Sequence, residues 1–154
     1  MTATPERTDG EDIFKLFDYN IAYEIRLHGA LSEDMLCPFH YYGVTDITVD
    51  NEVIDDHSDF NKLTSDERVN HIIEKSKFYG TDSGVIRGLV FCSNNEISQQ
   101  LSLEFKSRGY RTIVLSGKSS EEDRLNAINK LENNEVEYIF TVDIFNEGID
   151  IPSV

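Results

Sequence analysis

The sequence predicts an α/β protein in which short parallel strands alternate with amphipathic helices and stack into a layered sheet. Three observations lead there. Residues 88–92, 112–115 and 138–142 are runs rich in aliphatic and β-branched residues, of the length and composition of buried strands. Before and between them lie three segments with apolar residues at helical spacing, each bounded by a start and a stop signal. The order strand, helix, strand, helix, strand predicts right-handed crossovers, with ligands expected beyond the carboxyl ends of the strands. Those ends are Cys92-Ser93-Asn94, Ser116-Gly117 and Thr141 onward.

In chain order, residues 12–17 are expected to form a short helix, 21–25 a strand, 30–35 a helical turn, and 39–49 one bent or two shorter strands. Residues 50–61 read as an acidic loop. Its Asp55, His57 and Asp59 have a calcium-loop spacing, but Phe60 stands where such a loop needs Gly, so the segment reads as a solvated connector. The first strong helix opens with Thr64 and Glu67 at capping-box spacing, turns Val69, Ile72 and Ile73 to one face, and stops at Gly80. Ser93 with Glu96 announces the second, with Ile97, Leu101 and Phe105 as its stripe and Gly109 as its stop. Ser119 with Glu122 announces the third, whose stripe of Leu125, Ile128 and Leu131 ends near Asn133 and Asn134.

Composition narrows the function classes. Asp and Glu number 29 against 14 Lys and Arg, a formal charge of −15, whereas phosphate backbones attract the opposite balance. Weak nucleic-acid binding is expected of this chain alone. No apolar run approaches the roughly 18 residues of a spanning helix, and the N-terminus lacks the basic and apolar regions of a signal peptide. No membrane partner and a cytoplasmic location are therefore expected. Cys37 and Cys92 fall in separate apolar segments and are expected to be buried and reduced, without a disulfide or zinc role.

Most chemistry is carried by the stretch Thr141 to Pro152. A buried strand runs into a loop where Gly148 lets the backbone approach a ligand, with Asp150 an acceptor beside it. A turn glycine and a capping aspartate at a strand end would look the same. Glu147-Gly148-Ile149-Asp150-Ile151-Pro152 after an apolar strand resembles motif V of superfamily-two helicases and translocases. Thr2-Ala3-Thr4-Pro5 resembles their motif III, Leu89 to Asn94 is similar to motif IV, and Leu115-Ser116-Gly117 with Arg124 resembles the next strand end and its helix. These segments stand in the family's order across nearly the whole chain.

The resemblance implies a three-layer RecA-like parallel sheet flanked by helices and incomplete at its C-terminal end. Residues 1–38 would be the end of motor domain one with a connector, and 39–154 a partial second RecA-like domain. It implies ATP near Gly148 and Asp150, with Asp150 at the ribose. It implies contacts to DNA or RNA phosphates from Ser93, Asn94, Ser116, Gly117 and Thr141, made without reading bases. Thr2 and Thr4 would couple the two ligand sites, and Glu147 would orient a neighbour or be purely structural.

The parts that perform ATP hydrolysis are expected elsewhere. Gly117-Lys118-Ser119 mimics the end of a P-loop, but the first Gly of that pattern would fall at Thr112, inside a strand. Asp66-Glu67-Arg68 mimics an acidic magnesium box, yet it opens a helix instead of ending a strand. No arginine-pair motif follows Asp150. The chain is thus expected to begin and end inside a larger ATP-dependent helicase that needs ATP and Mg2+. Alone it would be catalytically inactive, hold neither cofactor stably, and require the missing first motor domain as partner. The rival class is a non-catalytic acidic flavodoxin-like or receiver-type binding module. A receiver domain needs clustered acids at its first strand end, where this chain offers Cys92, Ser93 and Asn94.

Overall fold

A computed structural model describes residues 13–21, 23–45, 47–49, 52–53, 58–145 and 151. The chain divides into two compact units, Met1–Gly43 and Val44–Val154. In the first, the helix expected at 12–17 is a single 3-10 turn, Phe14–Phe17, and α1 spans Leu27–Ser32, three residues earlier than the turn expected at 30–35. The strand expected at 21–25 does not form among the described residues. Its alternating Ile21, Tyr23 and Ile25 meet no pairing strand, and an extended segment alone leaves its backbone groups to water. Cys37, expected buried, is exposed here.

The second unit opens with a short hairpin. Strands β1 (Thr48–Val49) and β2 (Glu52–Val53) pair antiparallel, so part of the expected acidic loop is a strand and only the end of the expected 39–49 strand forms. The former calcium-like positions Asp55 and His57 lie outside the described residues. Then follow α2 (Phe60–Leu63), α3 (Asp66–Tyr79), β3 (Gly88–Phe91), α4 (Asn95–Ser107), β4 (Thr112–Val114), α5 (Glu121–Glu132) and β5 (Tyr138–Thr141).

β5 lies between β3 and β4 and is parallel to both, with Gly88 and Thr112 each level with Tyr138. Because strand side chains alternate, Tyr138 and Phe140 pack with Val69, Ile73, Ile97, Leu101 and Phe105 of α3 and α4, while Ile139 packs with Ala127 and Leu131 of α5. The sheet is therefore sandwiched between helices, the three-layer α/β class that the sequence predicts. The chain steps across β5 from β3 to β4 and then returns to the middle. Crossovers of one hand running in opposite directions place their helices on opposite faces, as α4 and α5 are placed.

All three main helix caps fall one residue later than the sequence spacing suggests, and two expected caps are occupied by the preceding turn. The Thr64 hydroxyl donates to the Phe60 carbonyl at 2.8 Å and closes α2, leaving Ser65 to accept from the Arg68 N–H. The Asn94 carboxamide oxygen, not Ser93, accepts from the Ile97 N–H at 2.9 Å. The Ser119 hydroxyl accepts from the Ser116 N–H at 3.0 Å, so Ser120 caps α5 and forms the capping box with Asp123. α5 is correspondingly rotated from the expected stripe: Ala127 and Leu131 are buried, whereas Leu125 is exposed. Gly80 and Gly109, with φ of 66° and 89°, end α3 and α4 as expected, and Asn134 is left-handed after α5. Among the described residues no helix is long and apolar enough to cross a membrane.

Candidate functional site

Because β3, β4 and β5 are parallel, their carboxyl ends share one edge of the sheet. The Cys92 N–H donates to the Thr141 carbonyl at 2.9 Å, and the Leu115 N–H donates to the Phe140 carbonyl at 2.8 Å. Three loops therefore leave the same edge at nearly the same level: Ser93-Asn94 into α4, Ser116 to Ser120 into α5, and Val142 to Phe145 out of β5. The sheet brings together five of the residues singled out in the sequence, Ser93, Asn94, Ser116, Gly117 and Thr141.

Their surroundings differ. Ser93 and Asn94 are exposed, and the Asn94 side chain is committed to capping α4. The β4–α5 loop is braced internally, because the Ser119 N–H donates to the Ser116 carbonyl at 2.9 Å and the Lys118 N–H donates to the Ser116 hydroxyl at 3.3 Å. An Arg124 guanidinium nitrogen donates to the Gly117 carbonyl at 3.4 Å. Exposed Gly117 thus stands on a braced turn, and a Cβ added there would meet nothing within 4 Å. Lys118 and Arg124 bring positive charge to a chain that is otherwise strongly acidic. The Ser120 hydroxyl and N–H hold the Asp123 carboxyl below its ordinary range, so it stays charged at the head of α5.

Thr141 is 0 % exposed, and its hydroxyl donates to the Ile144 carbonyl at 3.3 Å. From that position a direct phosphate contact would require the following turn to open. The turn itself is unusual, since Asp143 and Phe145 have φ of 53° and 67°, a left-handed backbone that L side chains rarely adopt. Cys92 is half-buried beside it, and burial pushes its thiol above the ordinary value. Thr2, Thr4, Glu147, Gly148 and Asp150 lie outside the described residues. Sequence reasoning missed the Ser120–Asp123 box, although its spacing was present, and the hold of Arg124 on Gly117, which no linear pattern announces.

Residues 67–154, more than half of the chain and all of the sheet, match the model of the helicase conserved C-terminal domain. The chain belongs to that family. Among relatives of this helicase C-terminal domain, the ATP-dependent RNA helicase SrmB of Haemophilus influenzae is 35% identical over 79 residues, covering 51% of this chain and 18% of that protein. IRC3 of Saccharomyces cerevisiae, whose name assigns it provisionally to the ATP-dependent helicases, is 24% identical over 160 residues, covering 100% of this chain and 23% of that protein. The domain thus spans about a fifth of the length of these relatives. Among solved structures, Mss116p DEAD-box helicase domain 2 bound to an RNA duplex is 19% identical, with a TM-score of 0.45 over 62% of this chain and 36% of that one. The flavodoxin-like or receiver-type alternative finds no support.

Proposed function

We propose that this helicase C-terminal domain serves as half of a cytoplasmic, ATP-driven motor on DNA or RNA, gripping phosphates at the carboxyl edge of its sheet. The observation that carries the reading is the convergence of Ser93, Asn94, Ser116 and Gly117 on one edge, on loops whose own hydrogen bonds fix them. Hydroxyls and backbone N–H groups at such an edge hold phosphates without reading sequence, which suits a motor that moves along a strand. Thr141 takes part through the turn it braces unless that turn opens to a phosphate.

The nucleotide side is assigned to Gly148 and Asp150, with Asp150 accepting from the ATP ribose, and Thr2 and Thr4 couple the two sites. ATP would supply the phosphoryl group whose hydrolysis drives movement. Mg2+ is assigned to the first motor domain, because Asp66-Glu67-Arg68 opens α3 instead of ending a strand as an acidic magnesium box would. Residues 1–38 are read as the end of that domain and a connector, and 39–154 as part of the second. In support, Ala30 is the only buried residue among those described in 13–38, while Leu16, Phe17 and Tyr23 are 80%, 62% and 70% exposed. Such a segment lacks the buried apolar area to fold by itself and needs a partner surface.

Two variants test the reading in a protein of the relatives' length that contains these residues and a P-loop. Gly117→Asp sets a negative charge at the edge where space is open, and should weaken nucleic-acid binding about tenfold or more, by the ~1.5–3 kcal/mol of a charged hydrogen bond. Asp150→Ala should weaken ATP use by a similar factor while leaving nucleic-acid binding without nucleotide nearly intact. Unchanged nucleic-acid affinity in Gly117→Asp, measured by fluorescence anisotropy, refutes the phosphate edge. Parallel loss of both functions with a lowered melting temperature in Asp150→Ala makes that residue a loop-shaping one.

A further inference from the structure

Val142 to Phe145 leave β5 with two left-handed non-glycine residues, Asp143 and Phe145, within four positions. Such a turn relaxes unless its surroundings hold it. Val142 and Ile144 are buried, and Phe145 packs partly against the α5 side of the core. Among the described residues, the polar tie within the turn is the Thr141 hydroxyl donating to the Ile144 carbonyl at 3.3 Å, from a side chain that no solvent reaches. With the Thr141 side chain out of water, a hydroxyl that lost this acceptor would bear the cost of a buried unsatisfied group, so the tie matters more than its length suggests. The hydroxyl thus spans three residues and closes the turn from beneath.

We infer that Thr141 is a positioning residue whose buried hydroxyl latches the Val142–Phe145 turn in its left-handed conformation and so sets the direction in which the chain leaves the sheet toward residue 146. It touches no ligand in this role. A valine there would keep the shape and lose the latch, whereas a serine would keep the hydroxyl. The inference draws on the proposed nucleotide-facing role of residues 146–150 only for its second readout.

The test compares the native chain with Thr141→Val and Thr141→Ser by amide hydrogen exchange, taking β5 amides as internal reference. Thr141→Val should speed exchange at residues 143–145 roughly tenfold, and Thr141→Ser should stay within about twofold of native, the factor set by one buried hydrogen bond. Adding Asp143→Gly to Thr141→Val, which relieves one left-handed residue at an exposed position, should restore slow exchange in part; it also serves if Thr141→Val alone fails to fold. Native-like exchange in Thr141→Val overturns the latch. The second readout is ATP use by a protein of the relatives' length that contains these residues and a P-loop, expected to weaken in Thr141→Val and return in Thr141→Ser. Faster exchange with equal ATP use in all three versions upholds the latch and overturns the nucleotide-facing reading instead.

Discussion

The Tyr138 ring lies across Gly88, its register partner on β3, so closely that a Cβ on Gly88 would stand 2.7 Å from the ring. The ring also meets Phe105 and Tyr110 edge-on at centroid distances of 5.1 and 5.6 Å, and its hydroxyl bonds Ser76 of α3 at 3.1 Å. Gly88→Ala should therefore destabilise the domain by about 1–3 kcal/mol through overpacking. Urea unfolding checks this, and Tyr138→Leu in the same chain should recover part of the loss. Burial pushes both the Tyr138 hydroxyl and the Cys92 thiol above their ordinary values of 10.0 and 9.0. The folded state thus holds these protons more tightly than the unfolded one. Their contribution is complete below pH 9 and is lost as pH rises through the raised values. Melting temperature measured from pH 7 upward should begin to fall above about pH 9, and should fall less in Cys92→Ala. Neither Tyr138 nor Gly88 could be singled out in the sequence, where Tyr138 is one aromatic among many and Gly88 only the first residue of a strand.

Helix termini show how a linear pattern can be right in kind and displaced in place. Thr64, Ser93 and Ser119 each have an acid three residues on, and each is followed by a residue equally able to cap. Which of the two caps depends on what the preceding turn consumes: the Thr64 hydroxyl closes α2, and the Ser119 hydroxyl braces the turn at Ser116. After β3, Asn94 takes the position and leaves Ser93 without that duty. Asn94→Ala should cost about 1 kcal/mol of stability, while Ser93→Ala should leave the melting temperature nearly unchanged. Thermal melts of the two variants separate structural from ligand-facing roles at neighbouring positions. A further tie joins α3 to α4, where Arg108 binds Asp66, the Asn70 carboxamide at 2.8 Å and Glu104 at 2.8 Å. Pairs 38 and 42 residues apart leave no trace in local spacing.

Over the whole molecule, 29 acids against 14 bases set a field that opposes phosphate. Single-stranded DNA or RNA should bind this chain only weakly at physiological salt, and submicromolar affinity in an anisotropy titration would contradict that expectation. Magnesium-dependent ATP hydrolysis should stay at background, because no P-loop sequence occurs in these 154 residues. Phosphate release that follows the purified chain through separation steps would contradict it. By itself the sequence determined the alternation of strands and helices, the helix stops and the helicase family resemblance, because periodicity, glycine stops and short motifs are local properties of a chain. The tertiary structure decided that β5 runs between β3 and β4, that Tyr138 and Phe140 face one helical layer and Ile139 the other, and that Ser93 and Gly117 reach a common edge. It also decided that Thr141 turns inward, since burial and hydrogen bonds between distant residues exist only once the sheet has closed.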